Sequence, residues 1–208
     1  MRYSFLLVTD GKEPDKLAAE VASIETLGIP DFEVLIAGDP PAILGCERVL
    51  MLEEARTGRL GAMRNALGEA ATGEVLVVSD DDMLFHDDFY RGLLEHGDGF
   101  DVMSCRILNP DGSRFWDWAA HGGPRGHSLM NYGEVDPWVY VTGGLCILRA
   151  EVFRKVQWDE TFGFYQGEDV DFSERVKEAG FRISFNPHST VTHNDPRYTQ
   201  VGRGVLRK

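Results

Sequence analysis

Apolar residues in this chain alternate between two rhythms. Short, nearly unbroken apolar runs at 2–9, 32–37 and 75–78 read as strands, and a run with no polar alternation reads as a strand buried on both faces. A further short strand is expected at 48–52. Between these runs the spacing lengthens to that of a helix. Leu17, Val21 and Ile24 follow Pro14-Asp15, a helix start, and stop at Gly28. Leu60, Met63, Leu67 and Ala70 form a second stripe that ends near Gly73. Strand and helix thus alternate through the first eighty or so residues, the pattern of a parallel, Rossmann-like sheet.

The later pattern is less regular. A helix is expected over 86–95 and a strand over 100–108, followed by the turn Asn109-Pro110-Asp111-Gly112. Residues 114–120 are expected to pair back across that turn. Residues 121–133, rich in Gly and His, read as a loop, since they hold too little apolar content to pack themselves. Strand character resumes at 139–142 and 145–148, with a short helix from Ala150. A helix from Glu168-Asp169 to Gly180 places Asp169, Phe172, Val176 and Ala179 on one face, and late strands are expected at 181–185 and 190–193.

The chain has 208 residues, enough for one large domain. Its net charge of −13 argues against nucleic acid or an anionic membrane as partner. No apolar run approaches membrane-spanning length, and the first residues carry no cleavable-signal pattern. Cys46, Cys105 and Cys146 match neither a disulfide framework nor a zinc pattern, so a cytoplasmic setting is expected.

Candidate chemistry begins where the 75–78 strand ends, at Asp80-Asp81-Asp82. Ligands of open α/β sheets bind beyond the carboxyl ends of the strands. Adjacent carboxylates repel, and are tolerated in water or around a cation. Asp80 and Asp82, two apart on extended chain, point the same way and can reach one hard divalent ion. A solvated acidic turn is the plainer reading of the same residues. Asp169, on the apolar face of its helix, should point inward, while Asp171 and Arg175 have the spacing of a solvated ion pair. His193 ends the last strand, and imidazole is an acceptable Mn²⁺ ligand beside carboxylates. Arg64 borders the inner stripe between Leu60 and Leu67. Trp116, Trp118, Tyr132 and Trp138, with His121 and His127, offer stacking surface for an acceptor, or ordinary packing.

The order of these features resembles glycosyltransferase family 2 on the GT-A fold. The resemblance rests on Asp39 at a strand end, Gly61-x-x-Arg64-Asn65, Gly73-Glu74 before an apolar strand, and Asp80-Asp81-Asp82. It continues through Gly143-Gly144, an apolar strand with Arg149, Gly-Glu168-Asp169-x-Asp171 with Arg175, and His193. The part from Gly143 to Gly180 also resembles the C-terminal galactosyltransferase domain. The resemblance implies an α/β GT-A fold, a mostly parallel sheet with helices on both faces. It further implies a metal-dependent transfer from a nucleotide sugar, a UDP-sugar above all, to a hydroxyl of a glycan or small molecule, with inversion.

Its residue roles are implied in the same way. Thr9, Asp39, Arg64, Asp80, Asp81, Gly143 and Gly144 would contact the nucleotide sugar, with Asp39 facing uracil and Arg64 near base or ribose. Asp80, Asp82 and His193 would hold Mn²⁺ or Mg²⁺. Asp169 would be the general base and Glu168 would bind hydroxyls. Residues 1–82 would form a nucleotide-binding half and 83–193 an acceptor-binding and catalytic half. Apart from the resemblance, the basic, poorly patterned tail that follows His193, 194–208, is expected to form a flap over the diphosphate. Two departures stand out. Gly38-Asp39-Pro40-Pro41 replaces the family's acidic, Ser-rich turn, and Phe164-Tyr165-Gln166 replaces a tryptophan before the glycine. Two other functions share some of these features. A sugar-1-phosphate nucleotidyltransferase has the fold and the aspartates but opens with a basic, glycine-rich loop, absent after Thr9. A non-catalytic sugar-binding module needs no base, which Asp169 supplies. Donor sugar, acceptor and oligomeric state are left open.

Overall fold

The computed structural model describes residues 1–43 and 45–195. The flap expected from the tail falls mainly on residues 196–208, outside the described residues. The chain opens with β1 (Tyr3–Thr9), α1 (Pro14–Glu25), β2 (Phe32–Gly38), β3 (Cys46–Leu50), α2 (Leu52–Thr57), α3 (Leu60–Ala70) and β4 (Val75–Asp80). It continues through β5 (Met83–Phe85), α4 (Phe89–His96), β6 (Val102–Leu108), β7 (Ala119–Gly122), β8 (Gly126–Leu129) and β9 (Val139–Tyr140). It closes with β10 (Leu145–Arg149), α5 (Ala150–Phe153), α6 (Glu168–Glu178) and β11 (Ile183–His193).

One eight-stranded sheet has the order β3-β2-β1-β4-β10-β6-β11-β5. β1 to β4 run parallel, β10 runs against both its neighbours, β6 and β11 are parallel, and β5 is antiparallel. Every residue of β1 is buried, and alternate side chains go to opposite faces. Phe5 and Leu7 meet Leu17, Val21 and Ile24 of α1 and Phe89 and Leu93 of α4. Leu6 and Val8 meet Met63 and Leu67 of α3 and Phe172 and Val176 of α6. Helices therefore cover both faces, as the unbroken apolar strands require. This is the expected mixed α/β, GT-A-type arrangement.

Four expectations differ in detail. Residues 114–120 pair across the turn only at Leu108 and Arg114, because Asp117 is fully buried and draws the chain inward. It accepts hydrogen bonds from Arg114 Nε at 2.7 Å, Tyr132 Oη at 2.6 Å and the Trp118 amide at 2.7 Å. The 121–133 loop is instead partly a hairpin, β7–β8, and with β9 it makes a separate three-stranded sheet. The two late strands are one strand, β11, whose register shifts between Asn186 and Thr190. Finally, α6 stops at Glu178, and Ala179 is its exposed C-cap rather than part of the inner stripe.

Candidate active site

β1 lies between β2 and β4, so the chain leaves it in opposite directions on its two sides, and such a switch point opens a crevice beyond the strand ends. Because β10 runs the other way, the Gly143-Gly144 segment before it reaches the same edge as the ends of β1, β4 and β11. A cleft of about 770 Å³ opens there, within the ~300–1,000 Å³ usual for small-molecule sites. Its walls carry Thr9, Asp80, Asp81, Asp82, Gly143, Gly144, Glu168, Asp169 and His193. Asp39 is exposed and stands outside that lining, held by its amide to the Thr9 carbonyl at 3.3 Å.

The acidic turn is held from behind by a residue the sequence reading passed over. Glu20 of α1 is fully buried; Ser79 Oγ donates to its Oε1 at 2.6 Å, and the Met83 amide to its Oε2 at 3.3 Å. These contacts bracket Asp80-Asp81-Asp82 on both sides. Burial pushes the Glu20 carboxyl well above the ordinary range, and Asp81 and Asp82 push the same way. Folding therefore favours the protonated form. This contribution to stability is fully present below the unfolded-state pKa and is lost as pH rises through the raised folded one. Urea denaturation should show wild-type stability declining with pH above the ordinary carboxyl range, and a flatter profile for Glu20→Gln. Identical profiles would exclude Glu20 as the titrating group.

Within the turn, Thr9 Oγ1 donates to Asp81 Oδ2, and burial lifts the Asp81 carboxyl to about 6. Asp80 accepts from Arg64 Nη2 at 3.1 Å and keeps 37% of its side chain open to the cleft. Burial raises its pKa, Arg64 opposes, and Asp82 and Asp81 reinforce. Solvent screens part of that push, but the direction is the one three crowded carboxylates impose. Asp82 Oδ2 lies 3.4 Å from His193 Nε2, and the Asn194 amide donates to the Asp82 carbonyl at 2.7 Å. The His193 ring stacks on Phe115 with centroids 4.2 Å apart. Among the described residues no three His, Cys, Asp or Glu side chains converge as a ready-made metal cluster. Two carboxylates and an imidazole remain a donor set suited to Mn²⁺ or Mg²⁺. A bound cation would relieve the crowding that raises Asp80 and Asp81.

Arg64 is 1% exposed, and its guanidinium links three parts of the site. Nη1 donates to Glu168 Oε1 at 3.1 Å, while Nη2 donates to the Gly143 carbonyl at 2.8 Å as well as to Asp80. Its place in α3, one turn from Leu60 and next to Met63, aims it through the helix–sheet interface at the strand ends. A Cβ on Gly143 would stand 3.2 Å from Glu168 Oε1, so a side chain there would crowd this cluster. Asp169 Oδ2 accepts from the Gly143 amide at 3.0 Å and Oδ1 from the Val170 amide at 2.9 Å. Burial raises the Asp169 pKa, and neighbouring Glu168 adds to it. Asp171 and Arg175 form the expected i, i+4 pair at 2.5 Å.

The structure thus gathers every predicted site residue at one edge, with Asp39 outside the cleft lining and Arg64 buried beneath it. Sequence reasoning missed Glu20, Lys12, Lys16, Phe115 and Tyr140. Lys12 and Lys16 had a usable signal, since they follow the end of β1 directly. Glu20 had only its place on the apolar face of α1.

Residues 39–203 match the sequence model of the family described as Glycosyltransferase like family 2. Among solved structures, Staphylococcus aureus TarS residues 1–349 are similar, with a TM-score of 0.61 and 19% identity over 94% of this chain and 61% of that one. A structure of GalNAc-T7 with UDP, GalNAc and Mn²⁺ is similar with a TM-score of 0.68 and 16% identity, over 94% of this chain and 44% of that one. TarS 1–349 in complex with UDP gives 0.59 and 18%, over 92% and 60%. These identities speak for the shared fold, and the chain spans less than two thirds of each of these proteins. No curated protein matches the chain.

Proposed function

The chain belongs to the Glycosyltransferase like family 2, and from that premise we propose a metal-dependent, inverting transfer from a UDP-sugar to a hydroxyl acceptor. The observation that carries this reading is one cleft lined by Asp80, Asp82 and His193 together with Asp169. UDP stands in structures of both TarS and GalNAc-T7, and Mn²⁺ in the latter.

Residues 1–82 serve the nucleotide in this reading, and 83–193 the acceptor and the chemistry. Asp80, Asp82 and His193 would hold a divalent ion, which when bound offsets charge on the departing diphosphate. Lys12 and Lys16 line the nucleotide end of the cleft, and Thr9 fixes Asp81 there. Asp169 takes the proton. Each of its oxygens already accepts one backbone N–H, leaving a lone pair on each and fixing the carboxylate plane. The acceptor oxygen bonds to the anomeric carbon as the carbon–phosphate oxygen bond breaks. The bonding pair leaves with the nucleoside diphosphate, and the hydroxyl proton moves to Asp169. A panel of nucleotide sugars with Mn²⁺, read by nucleotide release and saturation-transfer NMR, tests the donor class. If no UDP-sugar binds or turns over, the UDP reading is wrong.

The metal role has its own readout. Calorimetric titration should show UDP binding that collapses when Mn²⁺ is chelated. Asp82→Ala should weaken binding in Mn²⁺ by about 2 kcal/mol or more, the scale of losing a charged partner in a desolvated site. Equal affinity with and without the ion would remove the ion from the site.

A further inference from the structure

We infer that the small sheet β8-β7-β9 is the acceptor wall of the cleft, and that it receives a neutral sugar ring rather than an anionic acceptor. The inference rests on the glycosyltransferase reading and gives that reading its acceptor class. His121 and His127 are direct cross-strand partners on β7 and β8. Their rings meet edge to face at 5.2 Å, and both line the cleft with Asp169. His127 Nε2 lies 2.8 Å from Tyr140 Oη, and Trp116 stacks on the His127 ring with centroids 4.6 Å apart. Tyr140, on β9, is three residues before Gly143, whose amide fixes Asp169. The cluster is therefore joined through the backbone to the proposed base.

The other aromatic candidates have different duties. Trp118 is buried, with its indole N–H on the Glu134 carbonyl at 3.1 Å. Tyr132 stacks on Phe185. Trp138 covers Gly123, where φ is +59° and a Cβ would fall 2.3 Å from the indole nitrogen. That contact fixes the hairpin on which the histidines sit.

Flat rings with polar edges recognise a sugar by stacking on its C–H face while ring nitrogens and hydroxyls meet its O–H groups. Charge decides between neutral and anionic acceptors. Among the described residues, the only Lys or Arg side chains lining the cleft are Lys12 and Lys16, which are paired with Asp10 at 2.6 Å and Glu13 at 3.8 Å. Burial and His121 lower the His127 pKa against the opposing pull of Asp169, which favours the neutral ring. The Asp169 carboxyl, the proposed base, lines the same cleft. A phosphate or carboxylate would lose its hydration there and, among the described residues, meet no cation that is not already paired.

Saturation-transfer NMR with UDP and Mn²⁺ present tests this with methyl glycosides of neutral hexoses and N-acetylhexosamines, against methyl glucuronide and hexose 6-phosphate. At least one neutral glycoside should give a signal, with the anionic probes at least tenfold weaker. His127→Ala should cut the neutral signal fivefold or more, and His127→Phe, which keeps a stacking face, should retain more of it. His127 is exposed, so the fold should survive, which circular dichroism confirms. Glu47→Gln, on the remote edge strand β3, should change nothing. The inference is overturned if an anionic probe binds as well, if the neutral signal survives His127→Ala, or if every neutral probe is silent. UDP release from UDP-sugars is followed in parallel. Neutral glycoside binding with no release from any UDP-sugar overturns the transfer reading alone, whereas release driven by an anionic acceptor overturns the wall alone.

Discussion

Asp169→Asn lowers turnover by about 10²- to 10⁴-fold, the usual contribution of a positioned general base, while donor affinity stays close to wild type. The side chain keeps its size and one carbonyl oxygen to accept from the Gly143 amide at its 3.0 Å position, but it no longer takes a proton. Burial holds the wild-type carboxyl above the ordinary aspartate range, making it a stronger base than an exposed one. The protonated form cannot accept the acceptor's proton. Activity should therefore fall on acidification at a higher pH than an unperturbed aspartate would give, and the residual activity of Asp169→Asn should lack that limb. Steady-state rates with the true acceptor and calorimetry with UDP measure the two quantities. Full turnover by the asparagine variant would place the base elsewhere or make the mechanism retaining, and the anomeric configuration of the product, read by NMR, decides which.

Arg64→Ala should be the most destabilising single change in the site, by about 3–5 kcal/mol, the cost of removing one partner from a buried ion pair. The Arg64–Glu168 pair carries most of this, since its side chains are 1% and 10% exposed; Asp80, being more open, contributes less. The Gly143 carbonyl also loses its donor. Against a typical total of about 5–15 kcal/mol this is a large fraction, readily measured by urea denaturation. Arg64→Lys keeps the charge but reaches one acceptor where the guanidinium fork reaches three, so it should recover only part of the loss. A cost below about 1 kcal/mol for Arg64→Ala, the range of an exposed pair, would show that the network holds nothing together.

The first half of the fold was legible because its signals are local. Unbroken apolar runs bounded by Gly and Pro mark strands covered on both faces, and the stripe through Leu17, Val21 and Ile24 marks the helix between them. The later half depends on longer-range facts. The hairpin of β7 and β8 has little apolar content because its stability comes from Trp138 and from the small core of Trp118, Ala120, Met130 and Val139, contacts that spacing along the chain does not encode. β5 has three residues, and pairing with β11 rather than any pattern of its own makes it a strand. In the site, the carboxylates and His193 were visible as residue types at strand and helix ends. Glu20 was not, because a single acid on an apolar helix face looks like an error of amphipathicity until Ser79 and Met83 are seen beneath it. Arg64 was visible, but its burial was not, since a charge beside an inner stripe can point either way.

The three-stranded sheet has a small hydrophobic cluster of its own, joined to the main sheet through Ile183 and Phe185 of β11. Its cleft-facing residues His121 and His127 are exposed and belong to none of the three hydrophobic clusters. On the acceptor-wall proposal, drift in this segment would alter acceptor choice before donor binding. For protein engineering, the stretch from Trp116 to Tyr140 is a natural cassette. Libraries confined to His121, His127 and their neighbours should yield folded variants at high frequency, whereas the same mutational load spread over α3 and β4 would be spent largely on unfolded chains.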